Sequence, residues 1–174
     1  MSKERKVEPQ LTPTAKPPLQ ALLASAIAGE GNEQKNLSVS LKIAGGLPSE
    51  AYHLDFRASG EGEVKCEMGC EMSGRKGKSA HPKAIKGGEF TTLLRNVLDS
   101  GLLSTPPELP RFLPDTLVGI LEISDGVSVY RTYFAADPEQ AKMQNKNQSP
   151  ELEKTVNEIY RMAAKATGLR SVKP

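Results

Sequence analysis

Apolar and polar residues alternate from Leu37 to Ile43, with Leu37, Val39, Leu41 and Ile43 separated by Ser38, Ser40 and Lys42. A period of two is the signature of a half-buried strand. Tyr52, Leu54, Phe56 and Ala58 repeat the pattern around His53, Asp55 and Arg57, and Val64, Cys66, Met68, Cys70 and Met72 repeat it again. The period then changes. Phe90, Leu93, Leu94, Val97 and Leu98 form one helical stripe over Glu89 to Ser100, which Gly101 ends. Thr116 to Ser124 and Val127 to Phe134 flank Asp125-Gly126, a strong hairpin signal. A last helix starts at Pro150, with Ser149 as cap and Glu151 and Glu153 in the first turn. It buries Leu152, Val156, Ile159 and Ala163 and stops at Gly168.

The expected fold is α+β: an antiparallel sheet of about five strands, in the chain order β-β-β-α-β-β-α, with helices packed on one face. Residues 1–36 read as a disordered tail, with a short helix over 19–28 opened by Pro18 and closed by Gly29. Residues 37–168 form the domain, 73–88 a Gly- and Lys-rich loop, 137–148 a polar loop with room for one helical turn, and 169–174 a C-terminal tail.

Two registers satisfy the faces of the second and third strands. Charge pairing favours the one that sets Arg57 against Glu63, Asp55 against Lys65 and His53 against Glu67. It stacks Phe56 on Val64, Leu54 on Cys66 and Tyr52 on Met68. A two-residue turn at Asp125-Gly126 would pair Leu121 with Tyr130 and Leu117 with Phe134. On the other face it would pair Val118 with Tyr133 and Ile120 with Arg131. Apolar groups on both faces of this hairpin leave two expectations open: Val118, Ile120, Val129 and Tyr133 form a partner face, or the 19–28 helix covers them.

Composition narrows the function classes. The 174 residues are 37% hydrophobic, with a formal net charge of +2, too little to argue for nucleic acid or membrane by itself. There is no Trp and aromatics are 5%, against the stacking surfaces that bind single strands. No apolar run is long enough for a membrane span, and acidic residues and prolines before Leu19 spoil a secretory signal. The cytoplasm is the default expectation.

Candidate chemistry is sparse. Cys66 and Cys70 are about 13 Å apart along a strand, too far to share a metal without bending it, so both read as core thiols. Gly74 to Ser79 has the look of a phosphate loop, but Met72 stands where a Gly is needed and Ala80-His81-Pro82 follows in place of a helix. His53, Asp55 and Ser59 lack a nucleophile turn and an oxyanion site, and Glu67 is the better partner for His53. The expectation is therefore no enzyme, no catalytic residue, no metal and no cofactor. Arg75, Lys76, Lys78, Lys83 and Lys86 form a local basic patch suited to an acidic partner or a polyanion, with no aromatic to read nucleic-acid sequence. The expected partner is another protein, with nucleic acid as the alternative.

The first strand ending in Gly45-Gly46, the Leu93-Leu94 helix, a Pro-rich connection to Asp115, the Ser124-Asp125-Gly126 hairpin and the Pro150-Glu151-Leu152 helix follow one another in an order similar to emfourin-like proteins. These are small bacterial domains that include an inhibitor of thermolysin-type metalloproteases. The resemblance spans roughly residues 37–165 and implies an inhibitor role. The 73–88 segment and the N-terminal extension depart from it, and no functional residue is carried over.

Overall fold

The computed structural model describes residues 18–29, 33–46, 52–70, 75–84, 88–109, 111–146 and 148–174, with backbone alone at Cys70 and along 75–84. The expected tail over 1–17, the strand end at Met72, the start of the phosphate-loop-like segment and Lys86 lie outside them.

Among the described residues six strands form one antiparallel sheet: β1 (Ser38–Gly45), β2 (Tyr52–Ser59), β3 (Glu63–Cys70), β4 (Arg75–Ala84), β5 (Val118–Ser124) and β6 (Val129–Ala135). Their spatial order is β4-β3-β2-β1-β5-β6. The helices are α1 (Leu19–Ala28), α2 (Glu89–Ser100), α3 (Pro138–Met143) and α4 (Pro150–Thr167). The fold is α+β. Alternation decides which face is covered: Val39, Leu41, Ile43, Leu54, Phe56, Cys66, Leu121 and Ile123 are buried together with Leu93, Leu94, Val97, Val156 and Ile159 of α2 and α4. α1 packs on α2 and buries Leu23 and Ala26 in the same core. It therefore does not cover the second face of the β5–β6 hairpin.

Both hairpin registers differ from expectation by two residues. In β2–β3 the pairs are Ala58–Val64, Phe56–Cys66, Leu54–Met68 and Tyr52–Cys70, which puts Arg57 beside Lys65 and Asp55 beside Glu67. The turn decides this. Gly62 takes φ 88, and its N–H donates to the Ser59 carbonyl over 3.1 Å, closing a loop of Gly60, Glu61 and Gly62. Gly60 donates to the Leu37 carbonyl, and a Cβ there would lie 1.4 Å from the Gln34 oxygen. Backbone fit and a fourth apolar pair outweigh two exposed like-charge contacts worth a few tenths to about 1 kcal/mol each. In β5–β6, Asp125 Oδ1 accepts from the N–H groups of Val127 (2.8 Å) and Ser128, building a four-residue loop in place of the two-residue turn. The resulting register sets Glu122 against Arg131, Ile120 against Tyr133 and Phe134 against Gly119.

The 73–88 loop is also corrected, since β4 occupies most of it and pairs with β3 through two register shifts. Charge, glycine and Pro82 lower its strand propensity, but an edge strand tolerates them and uses them to resist further pairing. The polar 137–148 segment holds α3, which Asp137 caps by accepting from the Glu139 (2.8 Å) and Gln140 (3.2 Å) N–H groups. The 169–174 segment packs back on the domain. Val172 is 1% exposed, and the buried Tyr52 hydroxyl donates to its carbonyl.

Candidate functional site

α1, α2 and α4 pack on one face of the sheet and leave most of the other open, with Ala135 and Ser124 buried at its β5–β6 end, and strand register turns that face into a grid. One inner row, from β3 to β6, reads Glu67, Asp55, Lys42, Ile120, Tyr133. The next row reads Lys65, Arg57, Ser40, Glu122, Arg131. The outer rows are Gly69, His53, Ala44, Val118, Ala135 on one side and Glu63, Ser59, Ser38, Ser124, Val129 on the other. On the β2–β3 side, like charges lie across strands and opposite charges along them. The face thus carries an acidic pair (Asp55, Glu67) next to a basic pair (Arg57, Lys65). Lys42 reaches Asp55 at 3.6 Å. Arg131 holds Glu122 through two hydrogen bonds of 2.8 and 2.6 Å, which raise the guanidinium pKa. An open groove of about 640 Å³ follows this face past Ser38, Ser40, Arg57, Ser124 and Arg131.

The structure brings Val118, Ile120 and Tyr133 together, with Ile120 and Tyr133 directly paired and Val118 in the adjoining row. Val129 stands apart, with Arg131 between it and Tyr133 on β6. The charge rows escaped sequence reasoning because the register chosen there would have neutralised them. Of the basic patch, Arg75, Lys76, Lys78 and Lys83 lie on edge strand β4 at the far side of the sheet from β6. His53 is opposite Gly69, not Glu67, and its ring lies where a Cβ at residue 69 would stand, 2.2 Å from Cε1.

Two smaller cavities lie elsewhere. A cleft of about 250 Å³ separates β6 from the Pro-rich connection, with Lys146 Nζ 4.9 Å above the Phe112 ring. Another, of about 290 Å³, lies between α3, α4 and Lys173. Cys66 is 2% exposed, and burial first, then the Asp55 charge, pushes its thiol up to about 11. Among the described residues no three His, Cys, Asp or Glu side chains converge to hold a metal ion, and no helix is long and apolar enough to cross a membrane. No protein-family model and no curated protein matches this chain.

Proposed function

We propose that the protein is a non-enzymatic interaction module that binds another protein through the bare face of its sheet. The observation that carries this reading is the one-sided placement of α1, α2 and α4, which leaves the Asp55–Glu67 and Arg57–Lys65 pairs and the Val118, Ile120, Tyr133 surface on one broad face. Such a face is large, patterned in charge and open, as a protein surface requires, whereas small-molecule sites are concave and mostly enclosed. The test is affinity capture with the full chain as bait, comparing wild type, a face variant (Ile120→Asp with Tyr133→Asp) and a strand variant (Lys76, Lys78 and Lys83→Ala). The expected result is a purified partner that binds wild type and the strand variant and loses the face variant. A ligand lost instead by the strand variant, or at moderate salt, identifies a polyanion held by β4. A second reading, inhibition of a thermolysin-like metalloprotease, is favoured by the element order and predicts stoichiometric loss of protease activity; full activity at equimolar protein rejects it.

A further inference from the structure

Resting on the reading of the bare face as an interaction surface, we propose that its first partner is a second copy of this chain. The two faces would pack about a two-fold axis that runs across the strands, between the two inner rows. Such an axis sets each inner row on the other row of the second copy. Asp55 then faces Arg57 of the second copy and Glu67 faces Lys65 of the second copy, and symmetry makes each contact twice. Lys42 meets only the hydroxyl of Ser40, and Tyr133 lies against the Arg131 guanidinium, a cation–π geometry. Ile120 meets the carboxylate of Glu122, whose charge Arg131 already holds in its own chain.

The alternative face-to-face axis, parallel to the strands, is disfavoured by the same grid. It would stack Lys42 on Lys42 of the second copy and Lys65 on Arg131. The one opposite-charge contact of this axis, Arg57 on Glu122, falls on a carboxylate that Arg131 already holds in its own chain, so it offsets the like-charge contacts only weakly. The cross-strand axis is thus the one for which the rows are self-complementary. Five strands about 4.8 Å apart, with four outward residues each about 6.7 Å apart, span about 600–700 Å² per copy. About 1,300 Å² in total falls at the lower end of specific interfaces, which predicts a real but salt-sensitive dimer. Aligned sheets cross at about −30°, so contact is closest near β1, and the Asp55 and Arg57 pairs sit only one strand away.

Sedimentation equilibrium of the full chain tests this. The expected wild-type result is twice the 18.8 kDa chain mass at low salt, with the dimer weakening at least tenfold as NaCl rises from about 50 to 500 mM. An all-acidic face (Arg57→Glu with Lys65→Glu) and an all-basic face (Asp55→Lys with Glu67→Lys) should each be monomeric, and an equimolar mixture should restore a dimer. Restoration also shows that both variants are folded. A wild-type monomer at every concentration, or a dimer indifferent to both variants, overturns the proposal. If the wild type is monomeric yet captures a different protein that the face variants lose, the dimer falls and the interaction-module reading stands.

Discussion

At Gly119 a side chain is excluded by aromatic packing: a Cβ would stand 2.2 Å from the tip of the Phe134 ring, which is itself 3% exposed. The ring cannot retreat without opening the core over β5. Gly119→Ala should therefore cost about 1–3 kcal/mol, seen as a lower urea midpoint with an unchanged slope. Cys66 makes a different prediction. The unfolded thiol releases its proton near its ordinary value of 9, while the folded one holds it until about 11. Between those values the folded state binds more protons, so stability is complete below pH 9 and falls as pH rises towards 11. Cys66→Ala should flatten that stretch of the pH–stability curve, and the wild-type thiol should resist alkylation at pH 8 until the chain is unfolded. The buried character of Cys66 was legible from alternation alone. The closeness of Phe134 to Gly119 was not, because it depends on a register that no single residue announces.

Element boundaries followed the sequence closely wherever one local signal decided them: α4 begins and ends at its expected caps, α2 spans its expected residues and ends at Gly101, and β1 and β2 lie within one or two residues of their alternating runs. Registers did not, because they depend on loop geometry. Asp125 converts an expected two-residue turn into a four-residue loop by accepting two backbone N–H groups. Asp125→Ala should cost about 1–2 kcal/mol and loosen the loop without unfolding the strands, read as faster amide exchange at Val127 and Ser128. The two-residue shift in β2–β3 had the larger consequence, since it sets Asp55 beside Glu67 and Arg57 beside Lys65, the acidic and basic pairs of the candidate site. Cross-strand charge pairing was a sound rule applied to the weaker term. A glycine with φ 88 and a loop pressed against Gln34 constrain the backbone more than exposed charges do. β4 was hidden for a related reason: an edge strand with one neighbour needs little of the apolar alternation by which strands are recognised.

Taken as a whole, the molecule buries one face of its sheet under α1, α2 and α4, and the chain after α4 completes that cover. Val172 fills a place in the core, and its carbonyl accepts from the Tyr52 hydroxyl at the start of β2. The covered face therefore depends on the segment beyond Gly168, which the sequence reads as a C-terminal tail. Burying one Val side chain contributes about 1.5–3 kcal/mol, and the hydrogen bond from the Tyr52 hydroxyl to Val172 adds about 0.5–1.5 kcal/mol. Removing residues 171–174 should thus destabilise the domain by about 2–4 kcal/mol, whereas Tyr52→Phe in the full chain should cost only about 1 kcal/mol. The two losses share one hydrogen bond, so combining them should cost less than their sum, a coupling that denaturant titration of the four proteins measures. Strict additivity would mean that the hydroxyl contributes nothing through Val172. The charged face opposite lies on the far side of the sheet from this contact, so truncation should lower stability while leaving association through the Asp55 and Arg57 rows unchanged below the unfolding midpoint.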